Sequence, residues 1–369
     1  MNTSGFGITY KKVFRGLINI FRWTVPYLRS NIWSIQQEGK RILAVWDFRY
    51  VPFTVGDLLY CQVMALIVRD IHKVEKIDII LLCDELNPAR ADGGMDSQNF
   101  HYYFTKLISV FFVNQYLGSL IIMDSPGMLS KYIAENYDRY IIFPPYSDKE
   151  GRFLEQYHNY FNYALLFYEE NHYVPYLSCK NATLMWARHF LAAQSQKRLP
   201  IVIQLRNLPT HSYRNAVIDS WLEFVGYCEQ HHDVFFVMIG EKEEIDPRFR
   251  GFSNVLIAKD YSTTIEQDLA LIQAGIMFLG TTSGPATMAL FGDKPYVIYG
   301  FQTVYEKLEA EQQMPWATPL QKLVWEQETT EKLITDFEWL YNRIDREKWR
   351  IEFDRLAGEA AVKLKKQCN

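Results

Sequence analysis

From Arg41 onward, short runs of consecutive apolar residues alternate with longer segments whose apolar positions recur at helical spacing. Ile42 to Trp46, Ile77 to Cys83, Leu120 to Met123 and Asp138 to Phe143 read as strands, with helices over Asp57 to Ile71 and Phe100 to Tyr116 between them. A helical bridge around Thr183 to Gln196 leads to a second series. There Pro200 to Leu205, Val234 to Ile239, Val255 to Ile257, Ile276 to Leu279 and Tyr296 to Tyr299 are strands, and Tyr213 to Cys228 and Thr263 to Ala274 are helices. Strands that alternate with helices imply parallel sheets joined by right-handed crossovers. The prediction is an α/β chain with one such sheet in residues 41–180 and another in 181–329, facing each other across a central cleft. Residues 330–369 form a charged helical tail.

The first 40 residues stand apart as an arm. No acid occurs in the first 37, whereas Lys11, Lys12, Arg15, Arg22 and Arg29 are all there. On a helix Phe14, Leu17, Ile18, Phe21, Val25 and Leu28 share one face, which suits an anionic membrane surface contacted through residues 8–29. Spanning a bilayer takes roughly 20 consecutive apolar residues, and the arm has no such run. A basic amphipathic helix packed on the protein's own body or on a second subunit accounts for the same pattern.

Composition narrows the classes. At 369 residues and 49% hydrophobic content there is material for about two cores, consistent with the two series of strands. A formal charge of -4 and a pI near 6.1 argue against nucleic acid as a partner. Five cysteines, scattered and without a C-x-x-C pair, suit a reducing compartment. The histidines form no metal-ligand spacing and no D-x-D triplet occurs, so neither a metal nor another cofactor is expected.

The segment from Gly280 to Gly300 carries the most chemistry. Thr281, Thr282, Ser283 and Gly284 are small enough to let a ligand reach the backbone, and the helix starting near Pro285 directs N–H groups and its positive dipole end at the same point. A diphosphate suits such a turn; so does a plain strand-to-helix connection with no ligand. The segment resembles the donor-site signature of GT-B glycosyltransferases of the heptosyltransferase-like kind (family 9), matching at Ser283, Gly284, Ala289, Gly292 and Pro295. It departs where Thr282 replaces an acid and Thr287 a histidine. Val55-Gly56-Asp57-Leu58, following the first strand, is similar to the start of the same enzymes.

That resemblance implies a GT-B fold of two Rossmann-like domains and a transferase that moves a sugar from a nucleotide-diphosphate donor to a glycan or lipid-linked acceptor of the lipopolysaccharide or capsule type. It implies Asp57 as the catalytic base, with an N-cap role as the alternative for the same residue. It also implies a donor site of Arg206, Arg214, Glu241, Thr282, Ser283, Gly284 and Pro285, in which the arginine forks suit phosphate oxygens. Lys259 and Asp260 are weaker candidates. A single base facing the donor implies inverting transfer, the missing metal-ligand patterns make it metal-independent, and the expected place is the cytoplasmic face of the inner membrane. A sugar-nucleotide 2-epimerase of the same fold and a non-catalytic nucleotide-sugar-binding subunit are the competing readings, and an oligomer is possible.

Overall fold

The computed structural model describes residues 39–48, 53–83, 96–147, 152–153, 160–209, 212–301 and 313–367. The arm and most of the loop around Arg90 to Ser97 therefore lie outside the described residues. Two fully parallel sheets organise the rest. In the first, β1 (Arg41–Asp47), β2 (Ile77–Leu82), β3 (Leu117–Met123) and β4 (Tyr140–Phe143) stand in the order β3-β2-β1-β4. In the second, β7 (Leu199–Gln204), β8 (Val234–Met238), β9 (Val255–Ile257), β10 (Met277–Thr281), β11 (Tyr296–Tyr299) and β12 (Gln321–Val324) stand in the order β12-β11-β10-β7-β8-β9. Two further short strands, β5 (Tyr146–Ser147) and β6 (Arg152–Phe153), form an antiparallel pair.

Alternation along β1 covers both faces of the first sheet, as expected for a parallel sheet buried on both sides. Ile42, Ala44 and Trp46 join the main core beneath α1 (Val55–His72), while Leu43 and Val45 join a smaller cluster under α3 (Pro126–Asn136). The main core continues without a break into the second sheet. At the opposite end from the strand carboxyl termini, Asp78 is fully buried. It accepts from Arg41 at 2.8 Å, Ser119 at 2.6 Å and Tyr140 at 2.9 Å, a polar tie between β1, β2, β3 and β4.

Several boundaries differ from the sequence expectation. The helix expected over Phe100 to Tyr116 is α2 (Phe100–Leu107) followed by a 3₁₀ stretch, Ile108–Val113, because the β-branched and aromatic run tightens and the Asn114 side chain then accepts from the Tyr116 N–H to turn the chain into β3. The helix expected from Tyr213 begins later: Ser212–Arg214 is a 3₁₀ turn, Asn215 exchanges two hydrogen bonds with Leu208, and α6 runs Ile218–His231. Asn136 and Tyr140 bracket a 3₁₀ turn where the strand was expected from Asp138. The tail is broken near Asp345 into α9 (Thr330–Tyr341) and α10 (Arg346–Gln367). The helices α3 and α4 (Tyr160–Asn171) and the strand β12 went unread in the sequence. The remaining helices are α5 (Asn181–Gln194), α7 (Ile265–Ala274) and the one-turn α8 (Ala286–Leu290).

The two halves meet directly. Tyr60 of α1 packs edge-on against Phe291, which follows α8, with ring centroids 5.3 Å apart. Gln273 of α7 accepts from the Cys179 N–H at 2.8 Å and donates to the Leu177 carbonyl at 2.9 Å, fastening the bridge segment before α5.

Candidate functional site

In the second sheet β7 and β10 lie side by side, and the chain leaves them in opposite directions, toward β8 and β9 on one side and β11 and β12 on the other. Loops diverge at such a switch point and leave a crevice outside the strand carboxyl ends. The sequence permits close approach here: a Cβ on Gly280 would lie 2.3 Å from the Gln204 carbonyl oxygen, so only glycine fits between β10 and β7. The Arg206 N–H then donates to Thr281 Oγ1 at 2.9 Å, tying the two diverging loops.

The turn itself is internally braced. Both the N–H and the hydroxyl of Thr282 donate to the Tyr299 carbonyl, at 3.0 and 3.2 Å, and Arg214 donates to the Thr282 carbonyl at 3.3 Å. Ser283 Oγ accepts from the Ala286 N–H at 3.4 Å, while the N–H groups of Thr287 and Met288 go to the Gly284 and Pro285 carbonyls. Pro285 is the N-cap residue and brings no N–H. The first donors of α8 are thus engaged within the turn, and the cationic character of the crevice rests chiefly on the arginines.

Arg206 and Arg214 sit close enough to act on each other. Burial, and then the Arg214 charge, hold the Arg206 guanidinium below its ordinary pKa, with Glu244 and Tyr213 acting in the opposite sense. Burial lifts the Glu244 carboxyl above the ordinary range against the pull of Arg206. Two half-buried like charges at a strand-end crevice favour any anion that enters between them.

The first half supplies the opposite wall. Thr54 is the N-cap of α1 and its hydroxyl both accepts from the Asp57 N–H at 3.3 Å and donates to Asp57 Oδ2 at 2.6 Å. Asp57 occupies the third helical position, one residue after Gly56. A Cβ on Gly56 would lie 3.3 Å from Gly284 Cα and 3.5 Å from Thr287 Oγ1, and one on Gly284 would lie 2.9 Å from both Gly56 N and Val55 Cβ. The start of α1 and the Ser283–Gly284 turn therefore touch through two glycines, and Asp57 stands at the edge of that contact.

Glu241, expected in the donor site, pairs at 2.8 Å with Lys106 of α2, across the two halves. Lys259 turns inward to Asp268 of α7 at 2.8 Å and to the Thr263 carbonyl at 2.7 Å. Asp260 faces outward, in a fork with Arg250. The structure thus sets the Ser283–Gly284 turn against the start of α1, where Asp57 lies, with Arg214 on the Thr282 carbonyl and the Arg206 N–H on Thr281, while Glu241 pairs with Lys106. Lys106, Glu244 and Thr54 were not singled out from the sequence. The signal for Lys106 was there: it is the single lysine in Phe100 to Val113, a largely apolar and aromatic run with no arginine or acid.

No protein-family model matches the chain, and no curated protein matches it in sequence. Among solved structures, the chain is similar to the glycosyl transferase family 9 protein from Veillonella parvula DSM 2008, with a TM-score of 0.55 and 11% identity over 83% of this chain and 98% of that one. It is also similar to ADP-heptose lps heptosyltransferase II of E. coli, with a TM-score of 0.48 and 13% identity over 87% of this chain and 99% of that one. The fold is GT-B. Two parallel, Rossmann-like sheets are the architecture that the resemblance of the Gly280–Gly300 and Val55–Leu58 segments implies.

Proposed function

We propose that the chain is a glycosyltransferase that moves a sugar from a nucleotide-diphosphate donor to a surface-glycan or lipid-linked acceptor, by direct displacement with inversion and without a metal. The observation that supports this reading is the contact between the start of α1, where Asp57 lies, and the Ser283–Gly284 turn, whose neighbouring Thr282 carbonyl accepts from Arg214. Transfer needs a base on the acceptor hydroxyl, positive charge on the departing diphosphate, and exclusion of water. In this proposal Asp57 of the 41–180 domain is the base. Arg206 and Arg214 of the 181–329 domain, with the Ser283–Gly284 backbone, receive the diphosphate. The bridge over residues 178–200 is the hinge.

The test is thermal stability with nucleoside diphosphates, since a ligand bound by the folded state alone raises the apparent melting point. One or more bases should stabilise the protein by several degrees when supplied as the diphosphate; a chain indifferent to all of them is no such transferase. The second reading, a donor-binding subunit without turnover, draws on one observation: Thr282, in the place of the family's acid, spends its hydroxyl on the Tyr299 carbonyl. Binding without transfer to any acceptor would select it.

For residues 8–29 the proposed role is attachment to the cytoplasmic face of the inner membrane, on charge and apolar pattern. No helix among the described residues is long and apolar enough to cross a bilayer. Sedimentation with anionic vesicles should be lost when the arm is removed; binding that survives the deletion would refute the role.

A further inference from the structure

Lys106 belongs to the first half of the molecule, yet its ammonium lies 2.8 Å from Glu241 in the loop after β8 of the second half. Its position is built. The stem runs beside Tyr102, whose ring centroid is 5.2 Å and whose hydroxyl 3.4 Å from Nζ. The lysine is only 24% exposed, in an α2 whose neighbouring residues offer no other lysine or arginine. From there a series of charges that act on one another leads toward the glycine turn. Lys106 pairs with Glu241 and its charge acts on Glu244; the charges of Glu244 and Arg214 both act on Arg206; and Arg214 donates to the carbonyl of Thr282 in the glycine turn.

Cations from both halves thus converge on one place, and the carboxylates between them are the chain's own. A carboxylate and a phosphate oxygen make the same demand on an ammonium, a short charge-assisted hydrogen bond. When a diphosphate enters at Arg206 and Arg214, its charge repels Glu241 and Glu244 and attracts Lys106. The lysine, a flexible point charge on a four-carbon stem, can change partner by rotamer alone.

We propose that Lys106 is a diphosphate-binding residue contributed by the opposite half: in the ligand-free molecule it rests on Glu241, and it moves to the donor's phosphates when the donor binds. Closure of the two halves is then coupled to the presence of the diphosphate rather than to the nucleoside alone. This inference rests on the donor reading given under Proposed function.

Burial acts to lower the Lys106 pKa, but the Glu241 hydrogen bond and charge, with Tyr102, outweigh it and hold the ammonium above the ordinary lysine value. It is therefore charged at neutral pH and available to a phosphate.

The experiment is calorimetric titration of the full-length protein with the nucleoside diphosphate that stabilises it best, and ligand-observed NMR titration with the matching nucleoside. Lys106→Met keeps the stem and removes the charge; it should weaken the diphosphate by about tenfold, the worth of one charge-assisted hydrogen bond, and the nucleoside by less than threefold. Lys106→Arg should restore most of the loss. The salt dependence of diphosphate affinity should also be shallower in Lys106→Met than in the wild type. Unchanged or tighter diphosphate binding in Lys106→Met would overturn the proposal, since the ion pair would then merely obstruct the crevice. Equal losses for nucleoside and diphosphate would overturn it too, because Lys106 would then act only through Glu241. A wild type that binds no nucleoside diphosphate overturns the donor reading itself, while a wild type that binds and is indifferent to Lys106→Met overturns only this inference.

Discussion

At the scale of single residues, the structure gives to Thr54 the N-cap role that the sequence left open for Asp57. An aspartate at a helix start is often the cap, but here Thr54 fills that position and Asp57 is the third residue of the helix, accepting from the Thr54 hydroxyl. Asn in its place can still accept from Thr54 and fill the same volume, but it cannot take a proton. Asp57→Asn is therefore expected to keep the melting temperature and the nucleoside-diphosphate affinity near wild type while lowering turnover by roughly 10²-fold or more, the usual scale of a lost general base. Turnover within a factor of two of wild type would leave Asp57 a helix-start residue only. The small residues of the 281–284 turn announced a close approach. What approaches was not legible, because the partner of Gly284 is Gly56, far away in the chain.

At the scale of elements, strands were read well because parallel-sheet strands are continuous apolar runs, and β1, β2, β7, β8, β10 and β11 leave little else for such runs to be. Helix ends were read less well where local side-chain bonds compete with the helix, as at Asn114 and Asn215. The strand β12, Gln321–Val324, escaped because its Gln321 side chain is a buried polar group, donating to the Gly292 and Lys294 carbonyls. One element junction makes a pH prediction. Asp268 of α7, 4% exposed, meets Lys259 and Thr263 after β9, and burial pushes its pKa up to about 6 against the opposing pull of Lys259. A carboxyl whose folded pKa lies above its unfolded value binds its proton better when folded. Its contribution is fully present below about pH 4 and is lost as the pH rises to about 6, by an amount on the order of 2–3 kcal/mol. Urea melts of wild type and Asp268→Asn should show the wild type losing ground relative to the variant across that window. A constant difference between the two would mean that Asp268 titrates alike in both states.

At the scale of the whole molecule, the sequence indicated two parallel sheets, and the resemblance supplied the way they face one another. Composition could not supply it, since the joining contacts lie far apart in sequence, among them Gly56 on Gly284, Tyr60 on Phe291 and Lys106 on Glu241. The glycine contact is the tightest of these and can be tested by overfilling it. A valine at 284 would place Cβ 2.9 Å from the Gly56 nitrogen and the Val55 Cβ, backbone and branched carbon that cannot swing aside, so the two halves must separate. Overpacking of this kind costs about 1–3 kcal/mol when neighbours shift to absorb it. Gly284→Val should therefore lower the urea midpoint, speed amide exchange over residues 54–60 at the start of α1, and abolish stabilisation by nucleoside diphosphate. Gly127→Ala provides the control, because a Cβ there meets nothing within 4 Å, and it should leave all three unchanged. If Gly284→Val keeps wild-type exchange over residues 54–60, the halves do not meet at that turn in solution. A base on one half and phosphate-binding arginines on the other would then have no common site at which to act.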